Sequence, residues 1–314
     1  MMKEVHAGVR FLKEPAPGAA EDMAAIEKRV RSIIEEVRSN GDDGLRRYSK
    51  EFDGYAGAIE VGTEEKKELV ASLDRGIRED LEYAIANVTR FAEAQRATLK
   101  PLEIEALPGI HLGHRVIPIE RVGVYVPGGR YPILSAAVMT VVPAKVAGCD
   151  EIIACLPPKA HPSMVAGCVV AGAHRVFRVG GAQAIAAMAF GTKSVPAVDK
   201  IFGPGNAYVN EAKRQVFGRV GIDQLAGPSE IFTVADEAGD PSMIAADLLA
   251  QAEHDVRSRV GLITTSEMLG RAVLGEIDKQ LQTLRTREVA GAAWRDHGEI
   301  AVCDDEKAMI AYSD

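Results

Sequence analysis

Two polar side chains, Gln251 and His254, stand on the apolar stripe of a helix predicted over residues 241–254. The stripe begins with Ile244 and Leu248 at helical spacing, and the two polar residues continue it where further apolar residues are expected. Both side chains are therefore predicted to point toward whatever the helix packs against. An imidazole nitrogen and an amide oxygen in one cavity can bind a metal or a polar substrate. The alternative is two core groups that backbone or water satisfies.

Glycine-rich loops follow three predicted strands and precede three predicted helices. The loops are residues 125–130 (YVPGGR), 180–183 (GGAQ) and 203–208 (GPGNAY). Glycines at such turns let a phosphate approach the N–H groups at a helix start. None of the loops is a GxGxxG fingerprint, and each alone is explained as well by a tight turn. Together they favour a dinucleotide or similar ligand, with Gln183 and Asn206 as hydrogen-bonding arms and Tyr125 as a ring-stacking surface.

The elements that must position these residues predict an α/β fold with two Rossmann-like open parallel-sheet units and a helical N-terminal region. Residues 1–120 form the helical region and a hairpin over residues 102–119, and we expect them to pack with the second α/β unit. Residues 121–228 and 229–314 alternate Val- and Ile-rich strands with helices, which is typical of parallel sheets with crossover helices. The predicted strands are residues 122–126, 151–156, 175–179, 200–202, 231–234, 260–264 and 299–302.

Ligands of open parallel sheets bind beyond the carboxyl ends of the strands, which assigns the three glycine loops and hence the cofactor to the unit 121–228. The unit 229–314 carries the helix with Gln251 and His254. A further loop, residues 224–230 (QLAGPSE), lies at the boundary between the units, where a cleft has a natural edge. Ser229 in this loop is predicted to donate a hydrogen bond to a substrate, or else belongs to a turn that caps the next element.

Composition excludes several classes of function. The chain has 314 residues, enough for two domains, and its hydrophobic (47%) and charged (26%) fractions are ordinary for a soluble globular protein. A net charge of -8 without a long basic run argues against nucleic acid or anionic membranes as partners. No signal sequence or membrane-length apolar run is found, so a cytoplasmic location is predicted. Four cysteines without CxxC spacing are expected to be reduced, and none is predicted to be a nucleophile.

Several motifs in the same order resemble the histidinol dehydrogenase family, from about residue 21 to the end. They are GVYVPGGRYP, VPAKVAGC, VGGAQAIAAMAFGT, KIFGPGNAYVNEAKRQVFGRVGID, AGPSE and DLLAQAEHD. Enzymes of this family are zinc-dependent homodimers that use NAD to oxidise an amino alcohol, L-histidinol, through an aldehyde to the acid histidine. The resemblance implies NAD contacts at Tyr125, Gln183 and Asn206, substrate contacts at Ser229, Gln251 and His254, and zinc ligation by Gln251 and His254.

The resemblance assigns no catalytic residue, because the family's Glu-His pair would follow position 314. Two further zinc ligands of the family, an Asp and a His, would lie there too, which leaves two of the usual four. The 314 residues are therefore expected to lack the C-terminal part of the enzyme and to be inactive alone. His297 is not in the family's catalytic position and is predicted to be a surface or loop histidine. Glu253 faces away from the Gln251 stripe and is predicted to be solvated.

Two alternatives remain. Residues 128–132 and 292–296 resemble paralogues that oxidise other alcohols, including sulfopropanediol 3-dehydrogenases, in which case Arg130 would face an anionic substrate group; otherwise it is an exposed loop arginine. A hypothesis from another class takes the chain as a nucleotide-binding or partner-binding module that has lost catalysis. The chain ends inside a predicted helix, residues 306–313, with no stop signal, which favours the enzyme.

Overall fold

The computed structural model describes residues 8–16, 23–128, 132–225 and 229–314. The strands are β1 (Val9–Lys13), β2 (Leu102–Leu107), β3 (Ile110–His114), β4 (Arg121–Tyr125), β5 (Glu151–Leu156), β6 (Arg175–Arg178), β7 (Lys200–Phe202), β8 (Gly221–Ile222), β9 (Glu230–Ala235), β10 (Arg259–Thr264) and β11 (Gly298–Cys303). The helices are α1 (Met23–Asn40), α2 (Asp42–Asp53), α3 (Thr63–Ala71), α4 (Arg75–Thr98), α5 (Leu134–Ala147), α6 (Pro162–Ala171), α7 (Gly181–Phe190), α8 (Ala207–Val216), α9 (Pro241–Ala252), α10 (Glu267–Thr283), α11 (Arg287–His297) and α12 (Glu306–Ser313). No helix in these ranges is long and apolar enough to cross a bilayer.

These elements form two compact units. One is Asp22–Gly227, and the other joins Met1–Glu21 to Pro228–Asp314. The start of the chain belongs with its end because β1 pairs antiparallel with β11, with Val9 opposite Cys303. This strand was not predicted, because it is a short edge strand whose residues show no strict alternation of buried and exposed positions.

The sheet of the unit 22–227 has five parallel strands in the order β6-β5-β4-β7-β8. Strands β4 and β5 are buried almost from end to end, since apolar clusters cover both faces of the sheet. Their continuous Val and Ile runs follow from this burial. From β4 the chain adds β5 and β6 on one side and then β7 and β8 on the other. The strand order thus reverses between β4 and β7, the point at which open α/β sheets bind ligands.

The N-terminal helices pack on this sheet, which differs from the expectation that they pack with the second α/β unit. Val30 of α1 joins the core cluster that contains residues of α7 and α8, and Leu81 of α4 joins the cluster that contains residues of α5. The N–H of Val61 donates to the carbonyl oxygen of Val176 at 2.9 Å, which ties the α2–α3 connection to the edge strand β6. Helices α5 and α7 cover the sheet and also have apolar surface on their outer sides. Helix α4 packs on α5 and helix α1 packs on α7, which buries that surface.

Strands β2 and β3 form the predicted hairpin, with Gly109 in its turn at a φ of 77°. The hairpin ends at His114, earlier than predicted, and every residue of both strands is exposed. The alternation of apolar and polar residues that predicted it therefore does not mark a face that this unit buries.

The second unit contains a four-stranded sheet in the order β1-β11-β10-β9, in which β9, β10 and β11 run parallel. Helices α9, α10 and α11 contribute Leu248, Ile277 and Trp294 to a core shared with Ile300 of β11. The α/β class with two open sheets is confirmed, and antiparallel β1 makes the second sheet mixed. Helix α11 was not predicted.

An ion pair at the amino end of β6 gives the fold a pH dependence. The guanidinium of Arg175 donates to Glu60 Oε1 at 2.8 Å and to Oε2 at 2.7 Å. Hydrogen bonding from Arg175 is the main cause that holds the pKa of the Glu60 carboxyl below its usual range, and it outweighs burial. A carboxyl whose folded pKa is depressed adds stability above its unfolded pKa, and this stability is lost as pH falls through the folded pKa.

Glu60→Gln is therefore expected to lower the free energy of unfolding by about 1 kcal/mol at pH 7. The difference from the parent should vanish below the folded-state pKa of Glu60. Urea unfolding at a series of pH values measures both quantities. Glu64→Gln is the matched control, because Glu64 forms an exposed ion pair with Lys67 on the surface of α3, and it should change stability little at any pH. A loss that persists unchanged in acid would contradict the assignment.

Candidate functional site

The three glycine-rich loops follow β4, β6 and β7, and these strands are parallel, so their carboxyl ends lie at one edge of the sheet. Strands β4 and β7 are neighbours at the point where the strand order reverses. Gly203 has a φ of 124°, and a Cβ added to it would lie 2.1 Å from the carbonyl oxygen of Tyr125. The loop after β7 therefore passes directly against the end of β4, at a distance that only glycine allows.

Tyr125 is the last residue of β4 and is only 4% exposed. Its hydroxyl oxygen accepts a hydrogen bond from the N–H of Gly181 at 3.1 Å, which joins the end of β4 to the start of α7. Burial raises the pKa of Tyr125 to about 12, so the hydroxyl keeps its proton at neutral pH. The predicted ring-stacking surface is not available in this arrangement, because the ring is buried; the hydroxyl is the group that faces the loop.

Gln183 lies in the first turn of α7 and is 1% exposed. Its Oε1 is buried and has no hydrogen-bond partner among the described residues. Gly181, at a φ of 65°, leaves room for this amide, since a Cβ there would lie 2.7 Å from Oε1. A buried amide oxygen without a partner costs about 1–3 kcal/mol, and a ligand that donates a hydrogen bond to it would recover that cost.

Asn206 is the N-cap of α8, and its Oδ1 accepts from the N–H of Val209 at 3.1 Å. The side chain is thereby fixed at the helix start, and its amide nitrogen is the group left to donate to a ligand. The structure thus brings Tyr125, Gln183 and Asn206 to the same edge of one sheet. The unpartnered amide oxygen and the glycines beside it fit a dinucleotide.

Helix α9 of the second unit begins at its N-cap Asp240, whose Oδ1 accepts from the N–H groups of Ser242 and Met243, and ends at Ala252. The helix is shorter than predicted, and His254 lies in the turn that follows, where its side chain is exposed. Gln251 is half-buried rather than in the core. The inward stripe therefore continues from Leu248 to the buried Ala252, and Gln251 lies beside it.

The three predicted substrate residues lie at one end of this helix. The Nε2 of Gln251 donates to the carbonyl oxygen of Ser229 at 2.9 Å, so these two residues are in contact. This leaves Oε1 of Gln251 and the exposed imidazole of His254 as donors to a metal. An amide oxygen and an imidazole suit a borderline cation, but zinc usually takes four ligands. In the part of the chain that the structure describes, no group of three His, Cys, Asp or Glu side chains is placed to complete such a site.

One other prediction at this end is wrong. Glu253 is half-buried and bonded rather than solvated: its Oε2 accepts from the hydroxyl of Thr286 at 2.5 Å, which ties the end of α9 to the start of α11. His297, predicted to be a surface or loop histidine, is the half-buried last residue of α11, so the loop alternative is wrong and the surface alternative stands. Arg130 falls outside the described residues.

The cysteines are free, as predicted. Cys155 and Cys168 are fully buried, and burial raises the pKa of Cys168 to about 12 and that of Cys155 further still. The thiolate is the nucleophilic form, so neither side chain is suited to nucleophilic catalysis.

Lys213 and Asp223 were not predicted from the sequence. Lys213 stands in α8 with its side chain fully buried, and Asp223 follows β8. The sequence did contain a pattern that could have predicted the burial of Lys213, because this residue lies on the same helix face as Val209, Ala212 and Val216, which are all buried. Beside Arg214 in a helix, however, it was indistinguishable from a solvated lysine.

The family described as Histidinol dehydrogenase matches residues 17–314. The histidinol dehydrogenase homolog 1 of Mesorhizobium japonicum is 47% identical, and the match covers 92% of this chain and 59% of that protein. The histidinol dehydrogenase of Thermus thermophilus is 48% identical, with 90% and 68% covered. The sulfopropanediol 3-dehydrogenase of Ruegeria pomeroyi is 39% identical, with 98% and 72% covered.

A crystal structure of histidinol dehydrogenase from Elizabethkingia anophelis superimposes with a TM-score of 0.84 at 34% identity, over 96% of this chain and 69% of that one. The chain thus spans from 59% to 72% of the lengths of the three curated relatives.

Proposed function

Because the chain belongs to the histidinol dehydrogenase family, we propose that it is the cofactor-holding part of an NAD- and zinc-dependent alcohol dehydrogenase. The proposed reaction is oxidation of an amino alcohol such as L-histidinol to the acid through an aldehyde. The observation that carries the proposal is the unpartnered, buried Oε1 of Gln183 at the sheet edge where Tyr125 and Asn206 also lie. That edge is where open α/β sheets bind nucleotides.

The chain's own groups would hold and orient the dinucleotide. Oε1 of Gln183 is proposed to accept a hydrogen bond from the cofactor, and the amide nitrogen of Asn206 to donate one. The hydroxyl of Tyr125 accepts a hydrogen bond from Gly181 and so holds the loop after β6 against the end of β4. NAD, when bound, supplies the hydride acceptor for both oxidation steps.

In the second unit, Oε1 of Gln251 and the imidazole of His254 are proposed to be two of the zinc ligands and to contact the substrate, together with Ser229. When bound there, zinc supplies the positive charge that orients the substrate and polarises its alcohol oxygen. The hydrogen bond from Nε2 of Gln251 to Ser229 fixes the amide so that its oxygen is the free end. The relatives are longer than the matched region. We propose that the additional residues lie C-terminal to it and supply the catalytic Glu-His pair and the other ligands.

The similarity to a sulfopropanediol 3-dehydrogenase over nearly the whole chain supports a second substrate class, an alcohol with an anionic group. Arg130 would bind that group by paired hydrogen bonds. We further propose that the complete enzyme is a homodimer in the cytoplasm.

Turnover tests the assignment. The chain should be joined to the C-terminal segment of the Thermus thermophilus relative and supplied with NAD and zinc. Histidinol and sulfopropanediol, offered separately, are expected to distinguish the substrate classes by the rate of NADH formation. NAD binding without NADH from either alcohol would instead favour a binding module that has lost catalysis.

Gln183→Leu is expected to weaken NAD binding by about tenfold or more while leaving the free energy of unfolding equal or raised by about 1 kcal/mol. The reason is that leucine removes a buried acceptor that nothing in the described residues satisfies. Calorimetric titration with NAD and urea unfolding measure the two quantities on the 314-residue chain. Gln282→Leu on the exposed face of α10, in the other unit, is the control and should leave NAD affinity unchanged. Lower stability with unaltered NAD affinity would indicate that Gln183 is a structural residue.

A further inference from the structure

Lys213 carries a charge that is buried completely. Its Nζ donates to the carbonyl oxygen of Gly203 at 3.0 Å, to the carbonyl oxygen of Gln224 at 2.7 Å and to Oδ1 of Asp223. An ammonium group has three hydrogens, so all of its donors are used. The side chain therefore serves a fixed arrangement of acceptors and has no donor left for a ligand.

Asp223 completes the arrangement from the other side. Its Oδ2 accepts from the N–H of Gly203 at 2.8 Å, while its Oδ1 faces Lys213. The ion pair thus binds both backbone polar groups of Gly203. A single glycine held at its N–H and at its C=O cannot rotate its two peptide groups without breaking these bonds.

The held residue begins the loop that the proposed cofactor would meet. Gly203 lies against the end of β4 at Tyr125, and Asn206 caps α8 three residues later. Neither side chain is part of the backbone hydrogen bonding of the strand or the helix: β7 pairs through its backbone with β4 and β8, and α8 is closed by its own backbone hydrogen bonds. What the pair determines is the direction of the loop between them.

We propose that Lys213 and Asp223 are positioning residues for the dinucleotide. They hold residues 203–206 at the edge of the sheet and do not contact the dinucleotide themselves. This inference rests on the proposed function. A buried ion pair contributes little net stability compared with apolar residues of similar volume. An apolar replacement would, however, lose the hydrogen bonds by which the ion pair fixes both peptide groups of Gly203.

The test compares Lys213→Met with Arg121→Met on the 314-residue chain. Arg121 forms a partly buried ion pair with Glu151, at 2.5 Å, at the amino edge of the same sheet; its side chain is 34% exposed, whereas that of Lys213 is fully buried. Both variants are expected to lower the free energy of unfolding. Only Lys213→Met should weaken NAD binding, by about tenfold or more, because only it releases the loop. Hydrogen exchange of peptides covering residues 200–210 should also become faster in that variant alone.

The outcomes distinguish a positioning role of the ion pair from a purely structural one. Unchanged NAD affinity in a folded Lys213→Met protein overturns the positioning role and leaves a purely structural ion pair, while the proposed function stands. Weaker NAD binding in both variants to the same degree also overturns it, since general destabilisation would then explain the effect. If the parent chain itself binds no NAD, the proposed function fails and the positioning role fails with it.

A variant that does not fold is replaced by the double substitution Lys213→Met/Asp223→Asn. It removes both charges together, so no unpaired charge is left buried, and it retains one oxygen for the N–H of Gly203. It should fold and still bind NAD about tenfold more weakly than the parent. Parent-like NAD affinity in the folded double variant would overturn the proposal.

Discussion

Replacing Gly203 by alanine is expected to lower the free energy of unfolding by about 3–5 kcal/mol and to abolish measurable NAD binding. Two effects add. The φ of 124° is one that L side chains rarely adopt, and the new Cβ would lie 2.1 Å from the carbonyl oxygen of Tyr125 and 3.0 Å from its carbon. Because the obstacle is backbone at the end of a buried strand, it cannot move aside as a flexible side chain does.

The chain offers a matched control in Gly218. This residue also has a positive φ, 96°, but a Cβ there would meet no heavy atom of the described residues within 4 Å. Gly218→Ala should therefore cost about 1–2 kcal/mol from backbone strain alone and leave NAD affinity unchanged. Urea unfolding and calorimetric titration with NAD compare the two variants. Equal losses of stability would mean that the close approach to Tyr125 contributes nothing.

Replacing His254 by alanine is expected to reduce zinc affinity and NADH formation by about a hundredfold or more, without loss of stability. The imidazole is exposed in the turn after α9, so the fold does not depend on it, and the proposed role as a metal ligand is the reason for the effect. Zinc affinity is measured by competition with a chromophoric chelator. Turnover is measured on the chain joined to the C-terminal segment of the Thermus thermophilus relative.

His111→Ala serves as the control, because His111 is also exposed but lies in the hairpin of the other unit. It should change neither zinc affinity nor turnover. NAD affinity should be the same in both variants, since the proposed cofactor residues belong to the unit 22–227. Parent-like zinc binding in His254→Ala would exclude this residue as a ligand.

The end of α9 marks one limit of what periodicity reveals. Helical spacing correctly predicted that Ile244 and Leu248 are buried. It also predicted that Gln251 and His254 share their stripe, yet the helix stops at Ala252 and the chain turns. The N–H of His254 then donates to the carbonyl oxygen of Gln251, which is a turn contact rather than a further helical repeat. Periodicity gives the phase of a helix but not its last residue.

The sequence by itself determined the features that depend on local residue types and spacing. These are the α/β class, most strands and helices, the hairpin turn at Gly109 and the glycine loops that follow β4, β6 and β7. Strand propensity, helical periodicity and the conformational freedom of glycine are properties of short segments, so they are visible without a fold.

Only the tertiary structure decided the features that join distant segments. It placed β1 beside β11, packed the N-terminal helices on the first sheet and buried Lys213 against Asp223 and Gly203. The type of a lysine in a helix does not reveal whether it is solvated, because that depends on which acceptors other elements bring to it. Strand order and the burial of charge are set by long-range contacts, and no local pattern records them.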